Sequence, residues 1–302
     1  MWIEGSRGHH GKMQTDPAAR RLLPLAAALL TVVLWASAFV GIRSAGHAFS
    51  PGALAFGRLA IGSLILGVLV LARREPLPPR GTLPAIALCG VLWFGIYNVS
   101  LNAAERRVDA GTASMLVNVG PILLALLAGL FLGEGFPRKL LVGCAISFAG
   151  VAVIGVASSQ HGISTAGTLL CLVAAAGYAG GVVSQKLILD RVSALQTTWL
   201  CCCVGAVVCL PFAPSLFREI PDAQHTSVGW IVYLGIFPTA LAFTTWAFAL
   251  ARTQAGRLGS LTYLVPPLSI LFGWALLGET PALLAIAGGA LCLAGVYVTR
   301  RS

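Results

Sequence analysis

Of the 302 residues, 57% are hydrophobic and 10% are charged, and the mean hydropathy is +0.87. Soluble domains carry about 25% charged residues, so a water-soluble globular protein is excluded and a polytopic membrane protein, with the lipid bilayer around it, is indicated. The net charge of +10 is spread over short segments between apolar runs and forms no basic stripe interleaved with aromatics, which excludes a nucleic-acid partner.

Residues 1–21 open with the polar, Gly-rich MWIEGSRGHHGK and read as a flexible N-terminal segment in which Met13 offers a second start; no cleavable signal peptide follows. A membrane span needs about 20 mostly apolar residues. Ten runs approach or reach that length: 22–42, 52–72, 83–104, 110–131, 140–156, 163–184, 194–212, 227–250, 258–277 and 282–299. The longest connection, 213–226, reads as a loop. The expected fold is therefore all-α, with ten transmembrane helices. Ten spans put both termini on one side. Discounting Arg7 and Lys12, that side carries thirteen Lys and Arg against four on the other, which places both termini in the cytoplasm.

One stretch occurs twice. DAGTASMLVNVGPILLALLAGLFLGE at 109–134 is followed 145 positions later by QAGRLGSLTYLVPPLSILFGWALLGE at 254–279. Pro121 falls on Pro266, Gly133-Glu134 on Gly278-Glu279, and Ala149-Gly150-Val151 on Ala294-Gly295-Val296. Between 110–153 and 255–298, 15 of 44 positions are identical, and Gly90 on Gly235 extends the register backwards. Each half, 22–156 and 163–299, holds five spans. Five is odd, so the second half enters from the opposite side, the signature of an inverted-topology repeat.

Two five-helix halves, each with Pro, then Gly-Glu, then a Gly-rich last helix, resemble the EamA domains of the drug/metabolite transporter superfamily. Trp35-Ala36-Ser37-Ala38-Phe39 is similar to that family's W-G/A-S-x-F signature, and Arg58 in AFGRLAIGSLIL to its second-helix arginine. The second half departs from the pattern, with Gly177-Tyr178-Ala179 in place of the Trp motif and Cys201 near where Arg58 would repeat. The resemblance implies an exporter of amino acids, some aromatic, or related metabolites in a bacterial inner membrane; other members handle cationic drugs or nucleotide-like metabolites.

Proline-broken spans at matching places in two halves point to a transporter's binding site, so Pro121 and Pro266 are expected at a central cavity near the midplane. For Arg58 two readings stand: a fixed cation for a substrate carboxylate, or an arginine that snorkels or binds carbonyls of a neighbouring helix. Trp35, Ser37, Tyr97, Asn98, Asn102, Asn118, Tyr178, Trp246 and Tyr263 fall within spans and are candidate cavity residues. Asn98 and Asn102 share one helical face, with Tyr97 beside them. Near the span ends, Arg43, Glu134, Lys186 and Glu279 are candidate gating residues. For the two glutamates, complementing the dipole of the following helix is the competing reading.

All ten acidic residues are placed outside the apolar cores, so no buried proton carrier is expected and transport reads as facilitative, with proton antiport the alternative. The eight cysteines lie in spans without metal-ligand spacing. No cofactor motif and no hydrolase or zincin signature is present, which argues against a membrane enzyme. Repeat symmetry favours alternating access over a passive channel. The expected partner is a small-molecule substrate, and a monomer suffices for it.

Overall fold

The computed structural model describes residues 17–107, 110–158, 164–278 and 283–300, and among them every regular element is helical. Helix α1 (Pro17–Ala45) begins ahead of the predicted start at residue 22, and α2 (Pro51–Ala72) follows with proline at its first turn, where a missing N–H costs nothing. The third run is α3 (Leu83–Cys89), a π-helical segment Gly90–Tyr97, and α4 (Asn98–Ala104). The fourth is broken into α5 (Ala110–Val117) and α6 (Gly120–Phe131), and the fifth is α7 (Arg138–Ser158).

The second half has the same rhythm. Helix α8 (Thr165–Ile188) is capped by the Ser164 hydroxyl, which accepts from the Gly167 N–H. Helix α9 (Ala194–Val208) bends by 53° into the stretch Leu210–Glu219. The segment expected to be a loop therefore begins with a helix, α10 (Ala213–Glu219). Then come α11 (His225–Leu234), a π-helical segment Gly235–Leu241 and α12 (Ala242–Leu250). Helix α13 (Ala255–Gly259), a 3₁₀ segment Ser260–Leu264 and α14 (Val265–Leu277) make up the next run, and α15 (Leu283–Arg300) ends the fold.

Six of these helical stretches are long and apolar enough to cross a bilayer, seven if the bent pair at Val208 counts as one. Gly120–Phe131 and Ile286–Thr299 are shorter apolar helices. This is a multi-pass membrane architecture.

The prolines break their spans. Pro121 and Pro266 do not kink continuous helices; each stands in the first turn of a new one, α6 and α14. Proline has no N–H to offer the preceding turn and clashes with it, so the chain ends one helix and starts another there.

The irregularities recur in register. The π segments start at Gly90 and Gly235, and left-handed glycines stand at Gly133 (φ 66°) and Gly278 (φ 70°), where a Cβ would be strained.

The two halves share one core. Helix α1 packs on α11, α12 and α14, α2 on α9, and α6 on α8. Helices α7 and α15 run antiparallel in close contact. A Cβ at Gly150 would meet the Gly288 carbonyl at 2.6 Å, and one at Gly295 the Gly143 carbonyl at 2.5 Å. Between those crossings the Ser147 hydroxyl donates to the Cys292 carbonyl at 3.2 Å, and the Cys292 thiol to the Ser147 carbonyl at 3.5 Å.

Candidate functional site

A narrow cavity of about 60 Å³ lies between the halves, room for a few water molecules. The broken helices shape it. The Gly90–Tyr97 π segment points Trp93 and Tyr97 at it, the α5–α6 break supplies Asn118 and Pro121, and the 3₁₀ segment supplies Thr262. A π turn adds one residue per turn and re-aims the side chains that follow, which is why such segments collect at functional sites.

The floor is aromatic. Trp35 meets Trp246 at 5.0 Å between ring centroids and Phe243 at 5.3 Å, Trp93 meets Phe243 at 4.8 Å, and Trp93 meets Tyr178 at 5.5 Å. Edge and tilted contacts of this kind each contribute about 0.5–1.5 kcal/mol beyond area burial.

Arg58 supplies the charge. It is 4% exposed, so it does not snorkel, and its Nε–H donates to the Thr239 hydroxyl at 3.0 Å. Thr239 belongs to the π segment of the other half, so this bond spans the two repeats. The guanidinium lines the cavity, with a second edge free of that bond.

At the same end of the bundle as Arg43, Glu105 corrects the expectation that acidic groups avoid the interior. It follows the last residue of α4, which packs on both α2 and α8. Although Glu105 as a whole is half-buried, both carboxylate oxygens are buried and find no hydrogen-bond partner among the described residues. Burial pushes its carboxyl up to about 8, against the pull of Arg43 and Arg58.

At the opposite end, two charged side chains hold one turn. Glu134 accepts from the Ala255 N–H at 2.6 Å and the Gly256 N–H at 2.9 Å, the first amides of α13. Lys186 donates to the Leu250 carbonyl at 2.7 Å and the Thr253 carbonyl at 3.0 Å, at the end of α12. Glu134 thus complements a helix dipole, but that of a helix in the other half rather than of the α7 that follows it. Glu279 lies outside the described residues.

The model of the EamA-like transporter family matches residues 22–156 and, a second time, residues 165–301. The chain belongs to this family. Among EamA-like relatives, it is 36% identical to a probable terminal-alkyne amino-acid exporter of Streptantibioticus cattleyicolor, over 91% of this chain and 92% of that protein. It is 28% identical to a probable amino-acid metabolite efflux pump of Salmonella typhimurium, over 90% and 92% of the two chains. A crystal structure with 22% identity shares the fold at a TM-score of 0.74, over 93% of this chain and 98% of that one.

In this EamA-like transporter the cavity gathers Trp35, Arg58, Tyr97, Asn118, Pro121 and Tyr178 from the sequence candidates. Ser37, Asn98, Asn102, Trp246, Tyr263 and Pro266 are not among its lining residues. The Ser37 hydroxyl donates to the Leu34 carbonyl and meets the Tyr233 hydroxyl at 2.6 Å. The Asn98 amide donates to the Trp93 and Phe94 carbonyls, and the Asn102 amide to the Pro51 carbonyl. Trp246, Tyr263 and Pro266 are packed behind the wall. Sequence reasoning missed Trp93, Phe243 and Glu105. Trp93 carried a usable signal, since it lies in the segment opened by the repeat-matched Gly90, whereas Phe243 lies in α12 beyond the segment opened by Gly235 and carried none. Glu105 carried none, because its burial depends on how α4 packs.

Proposed function

We propose that this EamA-like transporter exports amino acids or closely related small metabolites across a bacterial cytoplasmic membrane by alternating access. The observation that carries the reading is one buried guanidinium, Arg58, facing a cavity with an aromatic floor. A fixed cation holds a carboxylate by charge-assisted hydrogen bonds, and apolar rings take an apolar or aromatic side chain. The descriptions of the two named relatives agree with that class of solute.

Ten spans in two inverted halves, 22–156 and 163–299, fit this mechanism. Support comes from the π segments at Gly90 and Gly235 and the left-handed glycines at 133 and 278. The antiparallel crossing of α7 and α15 adds to it: Gly143 faces Gly295 and Gly150 faces Gly288, with Ser147 on Cys292 between them. Equivalent residues exchange places about that point, as they would about a two-fold axis in the membrane plane. With both termini cytoplasmic, Glu134 and Lys186 stand at the inner face, and Arg43 and Glu105 at the outer.

Counterflow in proteoliposomes tests the reading. Saturable exchange of a radiolabelled amino acid is expected, and linear, non-saturating flux would make the protein a channel. Arg58→Gln should weaken carboxylate-bearing substrates roughly 10- to 150-fold, the equivalent of about 1.5–3 kcal/mol for bonds to a charged group, and spare cationic ones. Equal loss for both classes would make Arg58 structural. Glu105 favours exchange of substrate for protons over purely facilitative transport.

A further inference from the structure

Arg58 answers only one end of an amino acid. The carboxylate finds a cation there, but an α-ammonium needs an anion within reach of the same cavity. Tyr97 and Leu101 line the cavity four residues apart, and the next position on that helical face is 105. The Glu105 N–H bonds to the Leu101 carbonyl at 3.0 Å, so the turn continues to it. Its two carboxylate oxygens are buried with no hydrogen-bond partner among the described residues. A carboxylate kept for structure at such a depth is normally satisfied by donors, because leaving it bare is costly.

Among the described residues, the groups that face Glu105 are Arg43 from the end of α1, Arg58 from α2, Tyr97 from its own helix and Cys171 from α8; Arg106 and Arg107, next in the chain, are exposed. Glu105 therefore interacts with the exposed Arg43 guanidinium and with the one in the cavity, one turn beyond the lining residue Leu101 and not itself among the lining residues.

We propose that Glu105 is the proton-exchanging amine site of this cavity. Ionised, it accepts the substrate's ammonium N–H while Arg58 holds the carboxylate. When a proton from the aqueous phase binds a Glu105 oxygen, an O–H bond forms, the N–H···O contact breaks, and the ammonium leaves with its own protons. The site holds one cation at a time, a proton or an ammonium, so outward movement of substrate is tied to inward movement of a proton. This rests on the exporter reading, which supplies the zwitterion.

With the carboxyl held near 8, the empty site is protonated below that pH and ionised above it. Affinity for an amine therefore rises with pH through this window.

The test uses the full chain in nanodiscs with two probes, phenylalanine and 3-phenylpropionate, which keeps the ring and carboxylate but lacks the amine. Phenylalanine should bind more tightly with rising pH, by up to about tenfold per unit below the carboxyl's pKa. Phenylpropionate should run the other way, since ionised Glu105 offsets Arg58. Glu105→Gln should flatten both profiles, with retained phenylpropionate binding showing that it is folded. Glu105→Asp should restore the opposed slopes. Flat profiles in the parent, or opposed slopes that survive Glu105→Gln, overturn the proposal.

A second readout needs no ligand. The infrared band of a protonated carboxyl should titrate near pH 8 in the parent and be missing from Glu105→Gln; a parent without that band overturns the proposal outright. If neither probe binds the parent while the band titrates, the exporter reading falls and with it the amine role assigned to Glu105.

Discussion

Asn98 shows what a polar side chain inside a span can be used for. Its amide donates to the Trp93 carbonyl at 3.2 Å and the Phe94 carbonyl at 2.8 Å, two acceptors in the π segment that sets the cavity's aromatic wall. Asn98→Ala should therefore cost about 1–3 kcal/mol of stability, seen as a lower thermal unfolding midpoint in detergent. It should leave the order of preference within a substrate panel unchanged. A changed preference would put Asn98 in the cavity after all. Arg58 and Asn98 look alike in the sequence, each a polar residue in an apolar run. Their partners separate them: Arg58 bonds across the repeats to Thr239 with the cavity beyond it, and Asn98 bonds back to its own helix. Sequence spacing could place Asn98 and Asn102 on a common face, but not reveal that backbone carbonyls already take their amide N–H groups.

At the scale of elements, the breaks matter more than the helices. The helical, membrane-spanning character was legible from hydropathy, with six stretches, or seven counting the bent pair, long and apolar enough to cross a bilayer, and the proline positions marked where two of the apolar runs divide. What the breaks would do was not legible. Pro121 and Pro266 were expected to break their spans, and each does so by opening a new helix, because a proline at a helix start forfeits nothing. Likewise Glu134 was expected to serve the next helix in sequence. The turn between α12 and α13 lies nearer in space, a placement that only packing decides. That turn is held by Lys186 on its carbonyls and Glu134 on its amides. Glu134→Ala removes two bonds to a charged acceptor, about 1.5–3 kcal/mol each before solvent screening of this half-buried group. The expected result is faster thiol labelling of a cysteine placed at Thr253, with Glu134→Gln intermediate. Unchanged labelling in both variants would mean that the turn is held by its packing alone.

For the whole molecule, the central fact is that the halves pack into one another: α1 on α11, α12 and α14, α2 on α9, and α6 on α8. The repeat was legible as 15 identities in 44 positions, and the antiparallel seam where it closes, α7 on α15, was not. Two experiments probe that seam. Gly295→Ala drives a Cβ into the Ser147 hydroxyl and to 2.5 Å from the Gly143 carbonyl, and overpacking of this kind typically costs about 1–3 kcal/mol, measurable as a lowered unfolding midpoint. Ser147→Cys should cross-link to Cys292 under mild oxidant, detected as two halves that stay together after cleavage of the 159–163 connection until reductant is added. The seam also has a meaning in time. Ser147 leaves the ribosome 145 residues before Cys292, and at about 5–20 residues per second that is a wait of about 7–30 s. Through that interval Gly143 and Gly150 present bare backbone to the bilayer, and the stripe is covered only when the last helix arrives. A chain that ends early keeps it uncovered, so completion of synthesis is written into the packing of the finished protein.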